Sequence, residues 1–102
     1  MAMLHTINKS PFERNSLDAC LRLAKPGSAV LLIEDGIYAA TKGTAVSDKV
    51  TQAMGGIKFF VLGPDVKARG ISDDHMLDGV QVVDYAGFVD LVADHDNVQS
   101  WL

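Results

Sequence analysis

Cysteine is almost absent from this sequence, and long apolar runs are absent altogether. Cys20 is the single cysteine among 102 residues, which excludes an internal disulfide framework and indicates a reducing compartment. No apolar segment approaches the roughly 20 residues that a membrane-spanning helix needs. Residues 1–5 lack the basic and apolar segments of a secretion signal and its small-residue cleavage site. We therefore expect a cytoplasmic protein with no membrane contact.

Positive charge is scarce as well. Nine Lys and Arg residues stand against thirteen Asp and Glu residues, for a net charge of −4. Proteins that grip a phosphate backbone usually carry a basic stripe or an Arg-rich segment, and neither is present here. We therefore expect no direct contact with nucleic acid.

Familiar catalytic and metal-binding motifs are also missing. The glycines match neither the dinucleotide-binding fingerprint nor a phosphate-binding loop, and the lack of a C-x-x-C pair excludes thioredoxin-type redox chemistry. His5, His75 and His95 do not have the spacing of zinc ligands. Residues 73–78 are acidic but lack the spacing of a calcium loop. We expect no cofactor and no metal, and we interpret His5 as a satisfied core or interface histidine.

Apolar residues, in contrast, are abundant for so short a chain. Hydrophobic residues make up 48% of the sequence. The length fits one domain covering residues 1–102, and a domain of this size buries only roughly 60–70% of the surface that its unfolded chain exposes. The interior of so small a domain cannot bury all of these apolar side chains. We therefore expect part of the apolar surface to be covered by another chain.

Strand and helix patterns alternate along the chain. Short apolar or β-prone runs predict strands at residues 4–7, 29–33, 57–62 and 80–83, and the apolar tail at 98–102 is predicted to dock as a last strand or cover. Helical spacing predicts a first helix that carries an apolar face from Leu17 to Ala24 and ends before Pro26, a second helix over roughly 46–54, a short helical turn at 66–69, and a last helix capped by Asp84. This alternation is typical of a three-layer α/β domain with a parallel sheet.

The start of the first helix is ambiguous, and two turns are predicted after strands. Ser10 with Pro11 and Glu13 has the pattern of a helix start, but Asn15 with the residues after it has that pattern too. The glycine-containing segments 34–36 and 63–65 are predicted to end their strands as turns.

Sites in parallel α/β sheets lie beyond the carboxyl ends of the strands, here residues 9–12, 34–38 and 63–65. Glu34 and Asp35 could form an acid/base pair or bind Mg²⁺. Adjacent strand residues point to opposite sides, however, and Asp-Gly is an ordinary turn. From the residues themselves the turn is the favoured interpretation.

Cys20 is the strong nucleophile of the sequence by residue type. It shares an apolar helix face with Leu17 and Leu21, where a free cysteine behaves as a small hydrophobic residue. A reactive thiolate would need a positive environment, and the effect of a helix amino terminus fades beyond the first turn. Residue chemistry favours a structural cysteine.

Four segments in order resemble the DsrH/TusB family, and a fifth fits at the end. They are LHTINKSP at 4–11, LLIEDGIYAA at 31–40, VLGPDVKARG at 61–70, VVDYAGFVDL at 82–91 and VQSW at 98–101. The resemblance covers nearly the whole chain. It implies a DsrE-like fold around a five-stranded, mainly parallel sheet.

The resemblance also implies a function in sulfur relay. It implies a hetero-hexamer with DsrE/TusD-type and DsrF/TusC-type subunits that hands persulfide sulfur to a DsrC/TusE-type acceptor. In such complexes the H-type subunit is a largely structural, non-catalytic partner. A cysteine in the first helix resembles the DsrH proteins of sulfur oxidisers, so Cys20 becomes a candidate auxiliary sulfur carrier and dissimilatory sulfur oxidation the first interpretation. The alternative is TusB-type 2-thiolation of the tRNA wobble uridine. A third hypothesis, from another class, is a stand-alone flavodoxin-like domain with Glu34 and Asp35 as its acidic site.

Overall fold

A five-stranded sheet forms the centre of the molecule in the computed structural model, which describes residues 3–12 and 15–101. The strands are β1 (Met3–Ile7), β2 (Ala29–Leu32), β3 (Lys58–Leu62), β4 (Gln81–Val83) and β5 (Asn97–Trp101). Their order is β4-β3-β2-β1-β5, and every pairing is parallel. The three-layer α/β prediction is confirmed, and the apolar tail is the edge strand β5.

Helices cover the two faces of the sheet unequally. The helices are α1 (Ser16–Leu23), α2 (Ser47–Ala53), α3 (Gly63–Ala68) and α4 (Tyr85–Asp94), with 3₁₀ helices at Glu34–Ala40 and Asp73–His75. Side chains of α1, α2 and α3 and of the longer 3₁₀ helix share one core with alternate residues of the strands. On the other face α4 lies alone and packs through Phe88 and Leu91. The core on the first face is therefore much the larger of the two.

The first helix begins at the second of the two predicted positions. Ser10 Oγ accepts a hydrogen bond from the backbone N–H of Phe12 at 3.2 Å, so Ser10 stabilises a local turn instead of capping a helix. α1 then starts at Ser16, and Asn15 makes no side-chain capping bond. Glu13, which supported the earlier start, lies outside the described residues.

Two predicted turns are wrong, because helices follow these strands without a separate turn. Residues 63–65 form the first turn of α3, and Pro64 suits that position because its fixed φ is helical and its missing N–H has no partner to lose. Residues 34–36 begin the longer 3₁₀ helix. Gly and Pro signals mark both turns and helix starts, so the pattern alone could not separate them.

Within the described ranges, no helix is both long and apolar enough to cross a membrane.

Candidate functional site

The carboxyl ends of β2 and β3 bring together two of the three predicted site segments. Asp65 Oδ2 accepts a hydrogen bond from the backbone N–H of Glu34 at 2.7 Å. Arg69 Nε donates to Asp35 Oδ1 at 3.0 Å, and its Nη1 lies 4.0 Å from Asp65 Oδ1. One guanidinium therefore lies between the two carboxylates. The arrangement ties the 3₁₀ helix to α3 and leaves neither carboxylate as a free acid/base group.

Glu34 itself has a left-handed backbone with φ of 50°, which side chains other than Gly, Asn and Asp rarely adopt. Its N–H donates to Asp65, and this contact holds the conformation. Its side chain is exposed and has no ion-pair partner in the described part of the chain. Of the predicted acidic pair, only Asp35 therefore belongs to the junction formed with Arg69 and Asp65.

The third segment, after β1, is filled by backbone. Ile7 C=O accepts a hydrogen bond from Ile33 N–H at 3.0 Å, and Gly36 approaches the same carbonyl so closely that a Cβ there would lie 2.1 Å from its oxygen. Asn8 Oδ1 is buried without a hydrogen-bond partner among the described residues. Backbone therefore packs closely against the carboxyl end of β1.

Cys20 is fully buried in the larger core, beside Leu17 on α1. Burial raises the pKa of the Cys20 thiol to about 12, because a thiolate would be desolvated there. In this conformation the thiol is protonated at neutral pH and out of reach of a sulfur donor. A sulfur-carrying role for Cys20 stays a prediction, and it requires α1 to move.

The amino-terminal strand and the end of the chain meet through a contact that sequence reasoning missed. Trp101 Nε1 donates to His5 Nδ1 at 3.1 Å, and the two rings are tilted with centroids 6.2 Å apart. His5 is buried, and desolvation lowers its pKa. His5 is therefore a satisfied core histidine, as interpreted. Its partner could not be foreseen, since only the parallel pairing of β1 with β5 brings the two residues together.

Open depressions lie along the edge strand β4. A groove of about 420 Å³ runs between α3 and this strand, lined by apolar residues including Pro64 and Val82 and by Lys67. No cysteine or histidine lines it. In the described segments, no cluster of three or more His, Cys, Asp or Glu side chains could hold a metal ion.

Comparison with known proteins relates the whole chain to one family. The family model described as "DsrH like protein" matches residues 9–98. Protein TusB of Pectobacterium parmentieri is 33% identical over 99 residues, covering 97% of this chain and 100% of that protein. Protein TusB of Escherichia coli (strain K12) is 34% identical over the same length and coverage. The chain belongs to the DsrH-like family.

Solved structures confirm the fold of this DsrH-like chain. The ychN protein from E. coli superposes with a TM-score of 0.82 at 17% identity, covering 98% of both chains. Protein MTH1491 from Methanobacterium thermoautotrophicum gives a TM-score of 0.74 at 18% identity, covering 96% of this chain and 97% of that one. At these identities the likeness concerns architecture alone, and it confirms the α/β fold with a five-stranded parallel sheet.

The DsrH-like chain exposes several large apolar side chains. They are Phe12, Leu23, Val82, Tyr85, Val89, Val92 and Val98. Three of the seven belong to α4, in which no residue is buried. These exposed apolar side chains, above all those of α4, are the candidate binding surface of the chain.

Proposed function

We propose that this chain is a TusB-type subunit of a cytoplasmic sulfur-relay complex that supplies sulfur for 2-thiolation of the tRNA wobble uridine. The observation that carries the proposal is the full-length match to TusB proteins. The burial of Cys20, the single cysteine, supports a subunit that works through its partners.

The partners follow from the same proposal. A DsrE/TusD-type subunit carries the persulfide, a DsrF/TusC-type subunit completes the hetero-hexamer, and a DsrC/TusE-type protein accepts the sulfur. This chain contributes binding surface and the positioning of its neighbours. Its net charge of −4 agrees with a subunit that does not itself grip tRNA.

Dissimilatory sulfur oxidation is the second candidate, and Cys20 is the observation that favours it. In that role the Cys20 thiolate would attack the terminal sulfur of a partner persulfide, which releases the partner cysteine as a thiolate and leaves the persulfide on Cys20. A pKa raised to about 12 and complete burial weigh against this step unless α1 opens. The named relatives also favour thiolation.

The test is deletion of the gene in its native host, followed by mass spectrometry of tRNA nucleosides. We expect 2-thiouridine at the wobble position to be lost, and to be restored by the wild-type chain and by Cys20→Ser in equal measure. Normal 2-thiouridine in the deletion strain, together with loss of sulfur oxidation, would replace the first candidate by the second. Restoration by wild type but not by Cys20→Ser would make Cys20 part of the relay.

A further inference from the structure

The outward surface of α4 carries an apolar stripe that the described chain leaves largely uncovered. Tyr85, Val89 and Val92, which we name the α4 stripe, are spaced i, i+4 and i+7 and so share one side of the helix. Tyr85 is 62% exposed and Val89 is 66% exposed. The sheet holds α4 through Phe88 and Leu91 instead. Val92 is less exposed, at 39%. Tyr85 and Val89 are therefore not needed to attach the helix, whereas Val92 is partly covered.

The residues around the stripe give the surface a definite chemistry. At 100° per residue, Ala86 and Ala93 lie next to the stripe on the outward side, and Asp90 and Asp94 lie beyond them. The short alanine side chains let another surface approach that side of the helix closely. The result is an apolar patch bordered on its outward flank by carboxylates, a combination of apolar and charged groups that interfaces often use.

The acidic border belongs to a wider separation of charge in the chain. Residues 70–102 contain seven Asp and no Lys or Arg, for a charge of −7, whereas residues 1–69 carry +3. Asp90, Asp94 and Asp96 have no ion-pair partner in the described part of the chain. No Lys or Arg of the described chain therefore neutralises these three carboxylates.

We propose that the α4 stripe and its acidic border dock a protein surface with an apolar centre flanked on one side by Lys and Arg. A second copy meeting α4 against α4 would bring two negatively charged surfaces together, which disfavours self-association. Nucleic acid is disfavoured by the same negative charge. This inference deepens the proposed function and rests on it, since it names the surface through which the subunit joins its partners.

The experiment measures binding of this chain to the purified DsrE/TusD-type (E-type) and DsrF/TusC-type (F-type) subunits by biolayer interferometry at low and high salt. The triple variant Tyr85→Ser/Val89→Ser/Val92→Ser removes the stripe, and Asp90→Lys/Asp94→Lys reverses the border. We expect the first to raise Kd by roughly tenfold or more, because apolar and aromatic residues at an interface centre dominate affinity. We expect the second to slow association and to reduce its salt dependence.

The matched control is Leu23→Ser on α1, where Leu23 is 67% exposed on the opposite side of the sheet. Its Kd should stay within about twofold of the wild-type value, since a scattered exposed side chain contributes little. Circular dichroism checks that all variants are folded. Wild-type affinity in both α4 variants would overturn the docking surface while leaving the proposed function intact. Failure of the wild-type chain to bind either subunit would overturn the proposed function, and the docking surface with it.

Discussion

A contact between His5 on β1 and Trp101 on β5 links the first and last strands of the sheet. The His5 Nδ1 atom that accepts the Trp101 hydrogen bond must be unprotonated. Desolvation lowers the pKa of His5 below the usual value of 6.5. The neutral imidazole is thus both the form that burial favours and the form that can hold Trp101 in place.

This pair predicts a pH-dependent stability. Because the pKa of His5 is lower in the folded state, the unfolded chain binds the proton more readily. The stabilisation is fully present above the unfolded pKa near 6.5 and is lost as pH falls toward the folded value. We expect Tm to fall between pH 7.5 and pH 5, with a change in the fluorescence of Trp101, the only tryptophan.

His5→Gln isolates that contribution, because glutamine does not titrate and its carbonyl oxygen can still accept a hydrogen bond. The drop in Tm should be smaller in this variant, while the control His75→Gln, at an exposed position of the 3₁₀ helix Asp73–His75, should follow the wild type. An equal drop in all three proteins would show that other groups cause the pH dependence.

Residue patterns predicted the central strands well because those strands are buried on both faces. All four residues of β2 are buried, and an apolar run of that kind is a strong signal. The approach of Gly36 to the Ile7 carbonyl and the Trp101 contact with His5 depend on tertiary packing between distant segments. No local pattern encodes such contacts, so this part of the candidate site could not be derived from the sequence.

At the scale of elements, α4 is the least supported part of the fold. Asp84 Oδ1 caps the helix by accepting from Gly87 N–H at 2.8 Å, as the sequence predicted. Beyond that cap, Phe88 and Leu91 supply the contact with the sheet. Neither is fully buried, so a small change at either position is expected to loosen the whole helix.

Adjacent residues of α4 should therefore respond differently to truncation. Phe88→Ala should lower the free energy of unfolding by about 1–3 kcal/mol, less than the roughly 3–5 kcal/mol of a fully buried phenylalanine. Val89→Ala should change it by less than about 0.5 kcal/mol, because Val89 points to solvent. Urea denaturation of both variants measures the difference. Equal losses would mean that α4 lies differently on the sheet.

Helix boundaries after β2 and β3 were the elements that pattern reasoning placed wrongly. In both cases the helix starts directly at the strand end, and at β2 the contact of Asp65 with Glu34 N–H stabilises the change of direction. That contact joins residues 31 positions apart. Of the predicted acidic pair, Asp35 is engaged with Arg69, which also lies beside Asp65, whereas the Glu34 carboxylate has no ion-pair partner among the described residues.

At the scale of the molecule, a well-buried core is combined with a surface that exposes several large apolar side chains. The larger core is closed around Cys20, Arg69 ties the segments after β2 and β3 together, and backbone packs closely after β1. The open features are the α4 stripe, the edge strands and the groove between α3 and β4. Such a surface is better suited to binding neighbouring proteins than to binding a small substrate.

The most direct test of the account is native mass spectrometry of the chain co-expressed with DsrE/TusD-type and DsrF/TusC-type subunits of its native host, before and after treatment with polysulfide. We predict a hetero-hexamer with two copies of each subunit, in which the mass gain of sulfur falls on a partner cysteine and Cys20 is unmodified. A chain that stays monomeric in the presence of both partners, or that binds sulfur on Cys20 without them, would contradict the account.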